Sequence, residues 1–276
     1  MTVKELFDYC VKQISFSDSP EFESTCIFED LLNIKKTKIF FNDIVVTEEQ
    51  IKVVEDVVKR RKNGEPLQYI LGEWDFYDLT FKVGKGVLIP RPETETLVDF
   101  ALEKIKDIKS PVIYDLCAGS GCIGLTIAHH RKDAKVFLLE KEDGALKYLN
   151  LNKEKYNLDN AFIIQGDIFK FDFSEIPQAD VILSNPPYIP TIEIEGLQKE
   201  VHFEPITALD GGIDGLDFYR CICEKWLSKV NKNGYIALEC GEEQSADIIN
   251  LFNGKYCEKQ IIYDFNNIDR IVTFGI

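Results

Sequence analysis

Short apolar runs that alternate with helical stretches constrain the fold of this chain more than any other feature. Five such runs follow Pro111, at residues 112–116, 135–140, 161–165, 180–184 and 235–239. Strands that alternate with helices build a parallel sheet with helices on both faces, because each crossover helix buries its apolar side against the sheet. Two further runs, at 257–263 and 270–274, follow each other directly, and we expect them to pair antiparallel.

The N-terminal part of the chain has the periodicity of helices instead. Apolar residues between positions 6 and 14 recur on one helical face, and Thr47 with Gln50 forms a capping box before a second amphipathic stretch. Asn63 and Gly64 then end that helix. The pattern predicts three parts: a helical bundle over 1–68, a hairpin linker over 69–90 and an α/β domain over 91–276.

Composition excludes several classes of protein. Asp and Glu outnumber Lys and Arg by 47 to 32, a formal net charge of −15, whereas nucleic acids are bound largely through basic side chains. No apolar run approaches the roughly 18 residues that cross a bilayer, and no signal peptide precedes the first helix. Three histidines and eight scattered cysteines supply a metal site poorly. We therefore expect a cytoplasmic protein without membrane contact, without stable nucleic-acid binding and without a metal.

A glycine-rich loop follows the first strand of the predicted sheet. Asp115 ends that strand, and Gly119, Gly121 and Gly124 come within the next few residues. Glycines let the backbone turn sharply and let a ligand approach the main chain at the carboxyl edge of a sheet. By itself the loop is a weak signal, because it also fits a dinucleotide-binding site, and a plain packing turn is the minor alternative.

Two further acidic residues lie at the ends of the next strands. Glu140 ends the second strand, where a carboxylate accepts hydrogen bonds from the ribose hydroxyls of an adenosine, and Asp167 follows the third strand, near the adenine edge. Their alternative roles are a solvated strand end for Glu140 and a helix N-cap for Asp167. Together with Asp115 and the glycine loop, these positions favour an adenosine-containing ligand.

The segment Asn185-Pro186-Pro187-Tyr188 ends the fourth strand and opens on the same crevice. The prolines fix φ and remove two donors, Asn185 offers an acceptor and a donor, and Tyr188 offers a flat face. An amide or aromatic amine nitrogen is a poor nucleophile because its lone pair is delocalised. Hydrogen bonds to the Asn185 oxygen and the Pro186 carbonyl would orient that lone pair towards an electrophilic methyl group. The segment predicts nitrogen methylation, with a plain proline turn as the alternative.

The chain resembles the peptide chain release factor N5-glutamine methyltransferases, the PrmC/HemK family, over essentially its whole length. The Asn-Pro-Pro-Tyr signature is shared with adenine and cytosine amine methyltransferases of DNA and RNA, whereas P-R-P-E-T-E is more specific to the protein-glutamine group. The motifs that carry the resemblance are Phe76–Tyr77, Leu88–Glu95, the glycine loop, Asn-Pro-Pro-Tyr, Glu204–Pro205, Ala208–Leu216 and Leu238–Gln244.

The resemblance implies an α/β fold of the class I S-adenosylmethionine-dependent methyltransferases, Rossmann-like with a seven-stranded sheet, and a small N-terminal helical domain that recognises the substrate protein. It implies a monomeric enzyme that methylates the glutamine of the GGQ motif of a release factor with S-adenosyl-L-methionine, leaving S-adenosyl-L-homocysteine. The implied catalytic residues are Asn185, Pro186 and Tyr188, and Pro187 and Arg91 join them as substrate-binding residues. The implied cofactor-binding residues are Thr94, Asp115, Ala118, Gly119, Gly121, Glu140, Asp167 and Asn185.

Several alternatives stay open at this point. The leading alternative substrate is a glutamine of a ribosomal protein, and a more distant one is an adenine amine of nucleic acid. A non-enzymatic cofactor-binding or assembly protein is a further hypothesis. Arg91 is equally suited to a structural salt bridge. Glu193, Glu195, Glu200 and Glu204 are hypothesised to dock a basic partner. The chain departs from the family pattern at Glu140, where Asp is more common, and at Asn267, where Gly is expected.

Overall fold

The computed structural model describes residues 1–41, 44–172, 176–264 and 266–276. The chain forms two compact units. The first comprises Met1–Glu73 together with Gln198–Phe203, and the second comprises Trp74–Leu197 together with Glu204–Ile276. The first unit therefore includes a short segment from late in the sequence, which no sequence pattern predicted.

The first unit is helical. Thr2 with Glu5 and Thr47 with Gln50 form capping boxes at the starts of its two longest helices. Gly64, with φ of +92°, follows the C-cap Asn63 of the second, as the sequence predicts. The helices are α1 (Val3–Gln13), α2 (Pro20–Cys26), α3 (Lys36–Ile39), α4 (Glu48–Lys62) and α5 (Leu67–Leu71), with a π-helical turn at Ile27–Leu31.

A buried arginine organises the interior of the first unit. The Arg61 guanidinium is 1% exposed and donates to both oxygens of Glu23, at 2.7 and 2.8 Å. It also donates to the Glu65 carbonyl and, at 2.9 Å, to Glu200. A buried cation costs several kcal/mol unless its donors are paired. These acceptors pair Arg61, and they attach the segment that contains Glu200 to α4.

The second unit contains the sheets. A two-stranded sheet consists of β1 (Glu73–Phe76) and β2 (Leu79–Lys82). The seven-stranded sheet consists of β3 (Val112–Leu116), β4 (Lys135–Glu140), β5 (Ala161–Gln165), β6 (Ala179–Ser184), β7 (Val230–Glu239), β8 (Glu258–Tyr263) and β9 (Asp269–Gly275). Its helices are α6 (Glu95–Lys104), α7 (Cys122–His130), α8 (Asp143–Tyr156), α9 (Asp217–Cys221) and α10 (Ser245–Leu251).

The strand order of the large sheet is β5-β4-β3-β6-β7-β9-β8. The strands from β5 to β7 pair in parallel, and β9 is antiparallel to both β7 and β8. The predicted seven-stranded sheet and its antiparallel C-terminal pair are thereby confirmed. Leu116 lies opposite Leu139 and Ser184, and Ser184 lies opposite Leu238, so these four strands end level with one another.

The central strands of the sheet are buried on both faces. Ile113 belongs to one apolar cluster with residues of α6 and α7, whereas its neighbour Tyr114 belongs to another with Tyr219 and Trp226. Strands covered on both faces need apolar residues at successive positions, which explains the continuous apolar runs in the sequence. None of the described helices is both long and apolar enough to span a membrane.

The range 69–90, which the sequence predicted as a hairpin linker, contains the paired strands β1 and β2. Its first residues complete α5 in the first unit. Phe76, Leu79 and Phe81 are buried in the cluster that covers one face of the large sheet. Large aromatic side chains gain free energy by burial, which is why the two-stranded sheet joins the second unit.

The unexpected Asn267 lies in a tight turn before β9. Its φ is +61°, and its N–H donates to the Asp264 carbonyl at 2.9 Å. Asparagine tolerates the left-handed region better than other residues with a Cβ. The turn therefore accommodates the departure from glycine. Phe265, within the same motif, lies outside the described residues.

We expect Arg61→Ala to lower the free energy of unfolding by about 3 kcal/mol, because it leaves the Glu23 carboxylate unpaired in a poorly solvated position. The matched control is Arg60→Ala, which breaks a more exposed ion pair with Glu65 and should cost less than about 1 kcal/mol. Urea unfolding of both variants measures the difference. Equal losses would contradict the role given to Arg61.

Candidate active site

A cavity of about 290 Å³ lies at the carboxyl edge of the large sheet. Its wall is built by the segments that follow β3, β4, β5 and β6, together with residues 86–91 and 205–208. Because the strands end level, the residue after each strand faces the same crevice. The topology alone therefore gathers the strand-end residues that the sequence singled out.

The wall contains many, but not all, of the predicted site residues. Asp115, Gly121, Pro186 and Tyr188 lie outside it. Their predicted roles, like those of the wall residues, stay predictions. The predicted residues in the wall are Arg91, Thr94, Ala118, Gly119, Glu140, Asp167, Asn185 and Pro187.

The three loop glycines serve different purposes. Gly119 has φ of +58°, and a Cβ placed there would meet no atom within 4 Å, so its backbone is open to a ligand. A Cβ at Gly121 would lie 2.3 Å from Leu149, and one at Gly124 would lie 2.7 Å from Leu138. The second and third glycines are therefore required by close packing. Cys117, also at positive φ and in the wall, carried no sequence signal that we recognised.

Asp115 lies fully buried beneath the glycine loop. Its Oδ2 accepts the Gly124 N–H at 2.8 Å, while its Oδ1 has no hydrogen-bond partner among the described residues. Burial raises the pKa of Asp115 to about 7, and the Gly124 N–H opposes that shift. An unpaired buried carboxyl oxygen is costly, so Asp115 lowers the stability of this edge of the sheet.

Glu140 is held by three backbone donors. Its Oε2 accepts from Gly119, and its Oε1 accepts from Lys141 and Glu142, at 2.7 to 2.8 Å. Burial raises the pKa of Glu140, and these donors act against that shift. A carboxylate oxygen has two acceptor positions, so Oε2 retains one for a ligand. The longer side chain thus bonds to the loop as well as facing the cavity.

Asp167 caps a turn rather than a helix. Its Oδ1 accepts the Phe169 N–H at 2.9 Å, and the residues that immediately follow form a turn. The helix N-cap considered from the sequence is therefore wrong. The Lys141 ammonium lies 3.5 Å from the other carboxylate oxygen.

Asn185 is oriented by a chain of hydrogen bonds. Its Nδ2 donates to the Thr94 hydroxyl at 3.2 Å, and that hydroxyl donates to Oε2 of Glu239 at 2.6 Å. The amide nitrogen is thereby engaged, which leaves Oδ1 as the acceptor that the side chain offers to a ligand. Ser184, one residue earlier, donates to the Leu116 carbonyl and ties the two strand ends together.

Sequence reasoning missed Glu239 as a site residue. It ends β7, directly beside the strand that carries Asn185, and is 3% exposed. Burial raises the pKa of Glu239 to about 7, and the hydrogen bond from Thr94 opposes the shift. The available signal was its position, because an acidic residue at a further strand end of the same sheet follows the rule that identified Glu140.

Tyr188 packs into the protein interior. Its ring contacts the apolar cluster around Trp226, and burial raises its pKa to about 12. Its carbonyl accepts from Gln244 at 2.9 Å. A Cβ at Gly215 would lie 2.3 Å from that carbonyl oxygen, and one at Gly211 would lie 2.8 Å from the Tyr188 Cα. Two of the three glycines of the D-G-G-x-D-G-L motif, Gly211 and Gly215, thus allow the close approach of the Tyr188 backbone.

Arg91 forms the salt bridge that the sequence left open. It pairs with Glu204, which is 4% exposed and also accepts the Ile89 N–H at 3.0 Å. This clasp joins two segments of the cavity wall. A contact between Arg91 and substrate stays a prediction.

The hypothesis of four docking carboxylates needs correction. Glu204 is buried against Arg91, and Glu200 is paired with Arg61. Only Glu193 and Glu195 are exposed charges of the kind that the hypothesis requires.

Comparison with known proteins identifies close relatives. Residues 5–72 match the family described as PrmC N-terminal domain, and residues 94–198 match the methyltransferase small domain. The release factor glutamine methyltransferase of Thermodesulfovibrio yellowstonii is 40% identical over 267 residues, 95% of this chain and 94% of that protein. The release factor glutamine methyltransferase of Buchnera aphidicola is 32% identical, over 100% of this chain and 98% of that protein.

A solved structure shares the fold. The hMettl16 catalytic domain, in complex with MAT2A 3'UTR hairpin 6, superposes with a TM-score of 0.57. The match covers 83% of this chain and 82% of that one, at 14% identity. At this identity the likeness concerns the fold alone.

We expect Gly215→Ala to lower the melting temperature more than Gly254→Ala. Both glycines have positive φ, near +75°, so each substitution costs about 1 kcal/mol of backbone strain. Only at Gly215 does the new methyl group collide with the Tyr188 carbonyl, whereas the surroundings of Gly254 are open. Differential scanning calorimetry compares the two variants. Equal losses would show that the Tyr188 contact yields without cost.

We expect Asp115→Asn to stabilise the protein increasingly as the pH rises. A carboxyl whose folded pKa is raised to about 7 favours folding below its ordinary pKa near 4, and this contribution is lost as the pH rises through 7. Relative to wild type, the variant should gain about 2 kcal/mol between pH 5 and pH 8.5. Thermal unfolding across this range measures the gain.

The control is Asp133→Asn. Its carboxylate is exposed, and hydrogen bonds from Arg131 and the Ser110 N–H hold its pKa at about 2. The Asp133 carboxylate therefore stays ionised throughout the range, and the difference from wild type should not vary with pH. A constant difference for Asp115→Asn as well would contradict the raised pKa of Asp115.

Proposed function

Since this chain belongs to the release factor glutamine methyltransferase family, we propose that it methylates the side-chain amide nitrogen of the glutamine in the GGQ motif of a peptide chain release factor. The methyl donor is S-adenosyl-L-methionine, and S-adenosyl-L-homocysteine is released. The observation that carries this proposal is Asn185 in the cavity wall, with its nitrogen engaged by Thr94 and its oxygen left to accept from a substrate amide.

The residues of the cavity suit the cofactor. The open backbone at Gly119 admits a ligand against the main chain, and Glu140 retains an acceptor position for a ribose hydroxyl. Asp167, in the wall, adds negative potential that favours a cationic ligand, and Asp115, beneath the glycine loop, is a further proposed cofactor-binding residue. When bound, S-adenosylmethionine supplies a methyl group on a positively charged sulfur. Thr94, Ala118 and Gly121 complete the proposed cofactor-binding set.

The protein's part in catalysis is orientation. Asn185 Oδ1 and the Pro186 carbonyl accept the two N–H groups of the glutamine amide and turn its lone pair towards the methyl group. Pro187 forms part of the wall, and Tyr188 supports the backbone of this segment from within the interior. The proton displaced from nitrogen leaves to water. Arg91, at the rim, is the proposed further contact of the substrate.

The proposed division of labour follows the two parts of the chain. Residues 1–68 recognise the substrate protein, and residues 91–276 carry the reaction. We propose that the enzyme acts as a monomer in the cytoplasm, alongside its substrate, and that it binds no nucleic acid stably. The net charge of −15 supports the last point, because phosphate backbones would be repelled.

The decisive experiment offers labelled S-adenosylmethionine with three acceptors: purified release factor, a ribosomal protein that carries a target glutamine, and unmethylated DNA. We expect label on the GGQ glutamine, located by mass spectrometry of peptides. Asn185→Ala should lower kcat by about 100-fold or more, because a preorganised acceptor is lost. The control Asn253→Ala, an exposed residue after α10, should behave as wild type.

The alternatives give different results. Label on the ribosomal protein or on DNA would contradict the proposed substrate while keeping the chemistry of the Asn-Pro-Pro-Tyr segment. Absence of label from all three acceptors would favour a cofactor-binding protein without transferase activity. Full activity of Asn185→Ala would overturn the proposed role of its amide.

A further inference from the structure

We propose that Glu239 is a positioning residue: its carboxylate sets the direction of the hydrogen bonds through Thr94, so that Asn185 presents Oδ1 rather than Nδ2 to the substrate amide. This inference rests on the proposed function, because it concerns how the same site holds a glutamine. Glu239 itself does not line the cavity, and it acts through Thr94 and Asn185.

The direction of this chain of hydrogen bonds follows from which of its groups can donate a hydrogen. A carboxylate has no proton to donate, so the Thr94 hydroxyl donates its single hydrogen to Oε2 of Glu239. The hydroxyl oxygen then has only lone pairs for its second partner, and Asn185 must turn its NH₂ group towards it. The oxygen and the NH₂ group of an asparagine amide have nearly the same size. Packing alone therefore does not select between the two orientations of the side chain.

The hydrogen bonds between Glu239, Thr94 and Asn185 are largely buried, so their direction determines which group Asn185 presents to the cavity. Thr94 is 2% exposed and Glu239 is 3% exposed, so water competes weakly for these hydrogen bonds. Tyr219 donates to the Glu239 carbonyl at 2.8 Å and fixes the end of β7. The parallel register of Leu238 with Ser184 places the following residues, Glu239 and Asn185, side by side.

Protonation of Glu239 reverses the donor and acceptor roles along these hydrogen bonds. A carboxylic acid donates to the Thr94 oxygen, and the Thr94 hydrogen becomes available to Asn185 Oδ1. The amide then turns over and presents two N–H donors to the substrate, whose own N–H groups cannot accept them. The productive orientation therefore belongs to the ionised form of Glu239, and the rate should rise with pH.

The surroundings of Glu239 place this transition in an accessible range. Burial raises its pKa to about 7; the Glu93 charge adds to the shift, and the Thr94 hydroxyl, Arg270 and Arg91 oppose it. Other titratable groups close enough to interact with it are Tyr188, Tyr219, Cys122 and Cys240, whose pKa values burial also raises.

Kinetics with the full-length enzyme and its release factor test the proposal. We expect wild-type kcat to rise with pH around 7. In Glu239→Gln, kcat should fall about 10- to 100-fold and lose this pH dependence, because the neutral amide imposes no direction. Thr94→Val should show the same loss, Thr94→Ser should retain activity, and the double variant Glu239→Gln/Thr94→Val should lose nothing further. The exposed Glu103→Gln serves as the control.

Two kinetic outcomes would overturn the inference. The first is Glu239→Gln with wild-type kcat and the wild-type pH profile. The second is a loss confined to KM for S-adenosylmethionine, which would indicate a structural role at the cofactor. Calorimetric binding of S-adenosylhomocysteine to each variant verifies that the cavity is intact.

A measurement without substrate separates this inference from the proposed function. The side-chain amide ¹⁵N resonance of Asn185 should titrate with a midpoint near 7 in the wild type and should not titrate in Glu239→Gln. Titration without methyl transfer to release factor would overturn the proposed function and support the hydrogen-bond chain. Methyl transfer to release factor together with an Asn185 resonance that is independent of pH would support the proposed function and overturn the hydrogen-bond chain.

Discussion

Parallel pairing at the centre of the large sheet sets the position of the side chains at the candidate active site. Because Leu116, Ser184 and Leu238 lie in register, the residues that follow them emerge along one edge. Ser184 reinforces that register by donating to the Leu116 carbonyl. A shift of one residue in either pairing would turn the adjoining side chains to the opposite face of the sheet. The amide of Asn185 and the carboxyl of Glu239 meet through Thr94 only because that register holds.

The sequence was sufficient where the argument depended on local period and on strand ends. Alternation of apolar runs predicted the sheet and its antiparallel end pair, and the positions at the strand ends led to Glu140 and Asn185. It was insufficient where a side chain chooses a partner distant in the chain. Nothing local indicates that Thr94 bonds to Glu239, or that Arg91 pairs with Glu204. Such pairings depend on tertiary geometry, which the periodicity of apolar residues does not specify.

The site is held at a cost to the fold. Asp115 carries an unpaired buried oxygen, and Cys117 adopts a backbone conformation that side chains with a Cβ rarely adopt. Natural sequences tolerate such local conflicts mainly where function requires them. Here the surrounding strands and helices, packed on both faces of the sheet, supply the stability that the crevice lacks. Both features lie at the end of β3, beside the glycine loop.

The first unit is not contiguous in the sequence, since Gln198–Phe203 belongs to it although the chain on either side belongs to the second unit. A single break between Glu73 and Trp74 therefore does not yield two complete modules. It yields one fragment that lacks the acceptor Glu200 beside Arg61, and another that retains Gln198–Phe203 without the helices of the first unit. Recombination that exchanges N-terminal domains would have to exchange this internal segment as well.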